Sequence, residues 1–335
     1  MASKNVKIQT GQHYDHRSIL RGHTLVAYFV LAYLISWLLW LPFVVSKGGG
    51  TGLLPFTMAA SGLDTLGIII LGSFGPAIAA WIVSVIVEGK VGVRLLLRRM
   101  IRVRAGIQWY ILALFLPLLA CVLYYLPFGP QEWPGHLFST KGAFGLALYV
   151  VYVLSGMLAG SPLGEEPGWR GFALYRLQKR MGPLPGSLLL ALLWACWHLP
   201  LLVFTVWGSA YQQVGLLPGL AIYILTVASY TIVMTWLFNN TRGSIFLAIL
   251  FHSAVDTAPS FLLSWFPELG KMLQGIENSG LAVLMMLAGA GVWLVIAGII
   301  LLATRGKLSY KPELENDVRP VIAEPAAESE TAVSN

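Results

Sequence analysis

Long apolar runs alternate with short polar connections over most of this chain. Eight runs of about 20 residues or slightly more stand out, and each could cross roughly 30 Å of hydrocarbon as a helix. The pattern predicts an all-α polytopic membrane protein with about eight transmembrane helices and any functional site inside the helix bundle. The predicted spans are 24–45, 65–88, 107–127, 143–164, 184–204, 216–238, 244–265 and 281–303.

The polar connections differ in charge. Basic residues precede the first run and follow every even-numbered run, whereas the odd-numbered connections hold few. This positive-inside bias predicts that both termini are cytoplasmic, which agrees with an even number of spans. The basic residues in question are Lys4, Lys7, Arg17, Arg21, Lys90, Arg94, Arg98, Arg99, Arg102, Arg104, Arg176, Lys179, Arg180, Arg242, Arg305, Lys307 and Lys311.

The composition agrees with a membrane protein. The chain is 57% hydrophobic and only 11% charged, against about 25% charged in soluble domains. Its net charge of +7 is explained by membrane topology, so we expect membrane lipids and no nucleic acid as partners. Cys121 and Cys196 lie inside apolar runs and predict neither a disulfide framework nor a metal pair.

Ionisable side chains interrupt the apolar pattern at three places. Charged groups at bilayer depth cost roughly 2.5–3.5 kcal/mol each and usually face a bundle interior or a wet cavity. We therefore expect these side chains to converge on one site. They are Glu165, Glu166 and Arg170 after the fourth run, His198 in the fifth, and His252 with Asp256 in the seventh.

Helical spacing assigns these groups to pairs. His252 and Asp256 are four residues apart and so lie on one helix face, and Glu166 and Arg170 have the same spacing, which suits an ion pair. Glu165 points about 100° away from Glu166 and is expected to be unpaired. Pro167 predicts a kink or a helix start here, which would let water reach the carboxylates.

Several chemistries fit these residues at this point. A zinc site of one Glu and two His from separate helices stays open, although no HExxH motif is present. A serine mechanism is disfavoured because the chain has no GxSxG elbow. A transporter would also hold ionisable groups at membrane depth near broken helices.

Three motifs narrow the choice. GEEPGWRG, WACWH and HSAVD resemble the EExxxR, FxxxH and HxxxN/D motifs of the CPBP family, the type II CaaX prenyl endopeptidases with the ABI domain. Their order and their placement on the fourth, fifth and seventh runs also match, over about residues 140–260. Each motif is weak alone, but three in order inside apolar runs are specific.

The resemblance implies an intramembrane glutamic endopeptidase that needs no metal or cofactor. Glu165 and His198 would activate the attacking water, and His252 with Asp256 would stabilise the oxyanion. The role of Glu166 and Arg170 would be to organise the site. The implied substrate is a peptide or protein with a membrane-embedded or lipidated end, such as a CaaX-type prenylated peptide.

Two departures from the family pattern affect these roles. Trp194 stands where the second motif has Phe, and Asp256 replaces a frequent Asn. An ionised Asp256 would repel an oxyanion, so it is either protonated or acts by orienting His252. The alternatives to an enzyme are a non-catalytic immunity or scaffold protein of the same family and a membrane transporter.

The apolar pattern and the resemblance together divide the chain into five predicted regions. The first apolar run is expected to be a retained helix and not a cleaved signal, because a long polar segment precedes it. For a prokaryotic protein the location would be the cell membrane. The predicted regions are a cytoplasmic tail (1–23), N-terminal transmembrane helices (24–139), a catalytic core (140–265), a last loop and helix (266–304) and a disordered C-terminal tail (305–335).

Overall fold

The computed structural model describes residues 23–58, 63–128, 139–266, 269, 271 and 280–312. Within those ranges the chain is helical, and no β-strand occurs beyond an isolated bridge between Lys47 and Thr57. Seven helical stretches are long and apolar enough to cross a membrane. The predicted all-α polytopic membrane fold is confirmed.

The helices follow the predicted runs closely. In chain order they are α1 (Thr24–Val45), α2 (Leu63–Ser73), α3 (Gly75–Met100), α4 (Ile107–Tyr125), α5 (Thr140–Ala159), α6 (Ser161–Gly168), a π-helical turn (Trp169–Leu174), α7 (Tyr175–Met181), α8 (Pro183–Trp197), α9 (Leu199–Phe204), a 3-10 turn (Val206–Gly208), α10 (Ser209–Gln213), α11 (Leu216–Asn240), α12 (Ile245–Trp265) and α13 (Gly280–Thr304).

The fifth predicted span differs most from expectation. It is divided at His198 into α8, with 15 residues, and α9, with 6. Pro200 has no N–H to continue the hydrogen-bond ladder, so the helix cannot run through it unbroken. This apolar segment is therefore shorter than the seven stretches that are long enough to span a membrane.

Helix α1 supports the chain at this break. The Trp37 indole N–H donates to the carbonyl of Trp197 at 2.8 Å, and the Tyr33 hydroxyl donates to the carbonyl of Leu193. An unpaired buried carbonyl would cost about 1–3 kcal/mol. The first helix thus fixes the backbone on which His198 sits.

The second predicted span ends at a bend. Helix α3 turns at Gly89, whose φ of 62° and ψ of −149° strain any residue with a side chain. The apolar part of α3 lies before Gly89 and the arginine-rich part after it. The bend therefore agrees with the predicted span of 65–88.

The fourth predicted span is interrupted as well. Helix α5 ends at Ala159, Gly160 is extended, and α6 begins with Pro162 in its first turn. The kink expected near Pro167 is found as the π-helical turn that starts at Trp169. Such turns are typical of functional sites, where they displace the backbone from a regular helix.

Two glycines let α6 pack directly on α3 and the turn before it. A Cβ at Gly164 would lie 2.6 Å from the carbonyl oxygen of Ser73, and one at Gly168 would lie 2.5 Å from that of Pro76. Both distances are too short for any side chain. The backbone of α6, and with it Glu165, is held at a fixed distance from α3.

The second, fourth and sixth connections meet at one end of the bundle. Arg102 donates to the carbonyl of Arg242 at 2.6 Å, and Arg176 forms an ion pair with Glu88 at 2.6 Å. The guanidinium of Arg99 lies 4.0 Å over the ring of Tyr175. We call this the basic end of the bundle.

The described residues include a short part of each predicted tail. Leu308 is buried, and its carbonyl accepts a hydrogen bond from Asn239 at 2.9 Å. Residues 305–312 of the predicted C-terminal tail thus pack on the bundle at Leu308, and the predicted division of the chain into regions stays a prediction. Residues 1–22 and 313–335, which make up most of both predicted tails, lie outside the described residues.

Replacing Gly168 with alanine should destabilise the protein by about 1–3 kcal/mol, because the new Cβ overlaps the backbone of α3. The measurement is thermal unfolding of the purified protein in detergent. Gly298→Ala in α13 is the matched control, since a Cβ there meets nothing within 4 Å. The control should be neutral or slightly stabilising, and equal effects at both positions would contradict the tight packing.

Candidate functional site

The carboxylate of Glu166 joins two helices in the centre of the bundle. Its Oε1 atom lies 2.8 Å from Nη1 of Arg170, one helical turn later, and 2.8 Å from Nδ1 of His252 on α12. Glu166 and Arg170 have no exposed surface, and His252 is buried. A carboxylate oxygen can only accept, so Nδ1 of His252 carries the proton and donates. The ion pair predicted from the i,i+4 spacing is present.

The neighbouring Glu165 has different partners. Its Oε2 atom accepts from the indole N–H of Trp194 at 2.9 Å and from that of Trp169 at 3.3 Å. Glu165 is buried and forms no ion pair with a cation among the described residues. The two glutamates are therefore separated as predicted, one in an ion-pair network and one held by neutral donors.

His198 is held by the same tryptophan. Its Nδ1 atom lies 3.0 Å from the carbonyl oxygen of Trp194, one turn earlier in α8. A carbonyl accepts, so Nδ1 donates and Nε2 has the free lone pair of a neutral imidazole. Trp194 thus contacts Glu165 through its ring and His198 through its backbone.

A ring of aromatic side chains surrounds His198. Trp207 stacks on the imidazole at 5.4 Å between centroids and an angle of 4°, and Trp197 and Tyr223 contact it edge-on. Trp40 of α1 lies 6.3 Å away. These contacts restrict rotation of the ring and keep its orientation towards the cavity described next.

A cavity of about 300 Å³ lies beside both imidazoles. Its wall is formed by α8, the 3-10 turn, α10, α11 and α12, and it is predominantly aromatic and aliphatic. Glu165 is not part of the wall and lies behind Trp194. The lining residues are Trp194, His198, Trp207, Tyr211, Tyr223, Thr226, Val227, Tyr230, Met234, His252, Val255, Asp256 and Pro259.

Asp256 lies at the edge of this arrangement. Its Oδ1 atom is 3.7 Å from Nε2 of His252, beyond direct hydrogen-bond distance, and its side chain is 49% exposed. Glu166, and not Asp256, is the residue that makes a direct hydrogen bond to His252.

The six residues singled out from the sequence thus gather in one region of α6, the π-helical turn, α8 and α12. The sequence pattern assigned no polar role to Trp169 or Trp194. A signal was present, because Trp194 replaces the Phe of the motif and adds an indole N–H. Among the described residues, no three His, Cys, Asp or Glu side chains form a metal-binding group.

Comparison with known proteins agrees with the motifs. Residues 153–258 match the family described as type II CAAX prenyl endopeptidase Rce1-like. This segment is similar to that family. It contains all six residues above, from Glu165 to Asp256, and the resemblance inferred from the sequence is confirmed.

A curated relative supports the same family. The chain is 30% identical over 177 residues to CAAX prenyl protease 2 of Methanococcus maripaludis. The alignment covers 52% of this chain and 59% of that relative. The chain therefore spans less than two thirds of the length of the relative that it matches.

Arg170→Met should destabilise the protein by about 3–5 kcal/mol, because it leaves the buried Glu166 carboxylate without its cation. The measurement is chemical or thermal unfolding in detergent. Arg176→Met is the matched control: its pair with Glu88 is partly exposed, so its loss should cost about 1 kcal/mol or less.

The double variant Arg170→Met with Glu166→Gln tests whether the unpaired carboxylate of Glu166 causes this loss of stability. Removing the charge together with its partner should restore part of the lost stability. If the second substitution adds its full cost to the first, the Glu166–Arg170 ion pair is not what stabilises this region.

Proposed function

We propose that the chain is an intramembrane endopeptidase that hydrolyses a peptide bond with a water molecule activated by Glu165 and His198. The observation that carries this is the arrangement around Trp194, which bonds Glu165 through its indole and His198 through its carbonyl. One side chain thereby holds the imidazole of His198 at the cavity wall and the carboxylate of Glu165 directly behind that wall. General-base activation of water needs such a pair within hydrogen-bond reach.

The proposed reaction begins with a water between Glu165 and Nε2 of His198. One of these groups takes a proton as the water oxygen attacks the carbonyl carbon of the scissile bond. The resulting tetrahedral oxyanion collapses, the C–N bond breaks, and the retained proton passes to the leaving amine. The products are a carboxylic acid and an amine, and no external oxidant or reductant is required.

The oxyanion would be stabilised from α12. Nδ1 of His252 donates to Glu166, so the opposite Nε2 atom faces the cavity and, when protonated, can donate to the developing charge. Glu166 and Arg170 organise the site by fixing that ring. A well-placed donor of this kind typically contributes about 3–4 kcal/mol to the transition state. Asp256 would orient Nε2 through a water, since 3.7 Å is too long for a direct bond.

The proposed mechanism uses no metal ion and no cofactor. The substrate is a peptide or protein with a membrane-associated or lipidated end, and the surrounding lipids are the other partners. The name of the Methanococcus maripaludis relative makes a prenylated CaaX-type peptide one substrate to examine. An apolar cavity wall suits a substrate that enters from a lipid environment.

We also propose that the basic end of the bundle faces the cytoplasm, with both termini on that side of the cell membrane. The support is that arginines from three separate connections meet at this end, as in the contact between Arg102 and Arg242. Under the positive-inside rule such an end is cytoplasmic.

Glu165→Gln and His198→Ala should each lower peptidase activity by about 10²–10⁴-fold, as expected for loss of an acid–base group. The measurement uses purified protein in detergent and a quenched fluorescent peptide library that includes farnesylated CaaX peptides. Glu88→Gln, which changes a partly exposed glutamate outside the site, should retain full activity.

The same assay with and without EDTA separates the alternatives. Cleavage that survives chelation and is lost in both site variants supports the glutamic mechanism. Loss of wild-type cleavage on chelation would indicate a metalloenzyme, with Glu165 and the histidines as ligands. A folded wild type that cleaves no member of the library would favour a scaffold or a transporter.

A further inference from the structure

The contacts along helix α1 show at which level of the bundle each part of the site lies. It has 22 residues and is therefore about 33 Å long. Near its start, Tyr28 packs on Phe172 at 4.7 Å between centroids, four residues before the Arg176 of the basic end. Just beyond its other end, the carbonyl of Gly49 accepts from the backbone N–H of Val206 at 2.9 Å. The 3-10 turn thus lies at the end of the bundle opposite the arginines.

The cavity lies in that opposite half. His198 is next to Trp40 of α1, which is 16 residues and so about 24 Å from Thr24. The next part of the wall is Trp207, in the 3-10 turn beyond His198. The cavity therefore extends from the middle of the bundle away from the basic end.

The cavity is closed towards the basic end. On α12 the residues from Leu247 to Ala254 are buried, and on α11 those from Thr231 to Thr235 are buried too. On the other side of His252 the lining becomes accessible, because Asp256 is 49% and Trp207 is 41% exposed. Accessible surface therefore begins on the side away from the arginines.

Charge in the sequence distinguishes the same two ends. Between the predicted spans, the odd-numbered connections hold Lys47, Lys141 and Lys271 against Asp64, Glu132, Glu268 and Glu277, and the one that contains Trp207 has no charged residue. The opposite connections contain clusters of arginine. The positive-inside rule then assigns the arginines to the cytoplasm and the cavity end to the other face.

We propose that this site takes its substrate from the non-cytoplasmic face of the membrane, and that the substrate is the extended, apolar stretch of a membrane-inserted polypeptide just outside the bilayer on that face. This rests on the proposed peptidase function and narrows its substrate. The wall suits such a stretch because it is aromatic at its open side, where Trp207 is 41% exposed and Tyr211 is half-buried. A lipidated chain end anchored in the cytoplasmic leaflet would be on the wrong side.

The test measures cleavage in sealed membrane vesicles of known orientation. Right-side-out and inside-out vesicles carrying the full chain receive a library of charged, water-soluble quenched peptides, which cross lipid poorly. Intact right-side-out vesicles should cleave at nearly the rate seen after detergent permeabilisation. Intact inside-out vesicles should be slower by about tenfold or more until permeabilised, because the charged peptides do not reach the lumen.

The outcomes separate the two proposals. No cleavage even after permeabilisation contradicts the peptidase function itself. Cleavage in permeabilised vesicles together with fast cleavage in intact inside-out vesicles retains the peptidase and overturns the sidedness. Faster cleavage of farnesylated CaaX peptides by inside-out than by right-side-out vesicles would overturn it as well.

Cysteine labelling measures the orientation independently of activity. Ser209→Cys lies beside the cavity mouth and Lys307→Cys lies at the basic end, and both positions are exposed. A membrane-impermeant maleimide added to intact cells should label the first variant and not the second, above the background of the native chain with Cys121 and Cys196. Labelling of Lys307→Cys alone would overturn the proposal.

Discussion

The buried carboxylate of Glu166 is the constraint on which the site depends. It accepts from Arg170 in its own segment and from His252 on α12, so a single oxygen atom connects the first and third motifs. Charges at this depth are costly unless paired, and each partner would be left uncompensated without the others. The arrangement therefore favours one packing of α6 against α12, and that packing sets the position of the His252 imidazole.

Glu165 is positioned by a different kind of contact. Two indole N–H groups hold its Oε2 atom, and they neutralise no charge. Among the described residues Glu165 forms no ion pair, whereas Glu166 is ion-paired with Arg170. Two adjacent glutamates thus acquire separate properties because successive helix positions face different neighbours.

Hydropathy alone was enough to predict the long helices, since a lipid environment demands about 20 apolar residues per crossing. The ionisable residues could be grouped for a related reason, because buried charges need partners. The interruptions at Gly160 and His198 were harder to predict, although Pro162, Pro167 and Pro200 all indicate them. The bond from Trp169 was not predictable, because a tryptophan that packs and one that donates look the same in a sequence. At Trp194 the replacement of the motif's Phe was the one available signal.

The contact between Trp37 and the carbonyl of Trp197 means that the site depends on a residue outside the segment that matches the family. The segment that matches the family begins at residue 153, yet the break beside His198 is supported by a helix more than 100 residues earlier in the chain. A change at Trp37 or Trp40 would thus reach the imidazole of His198 without altering any of the three motifs.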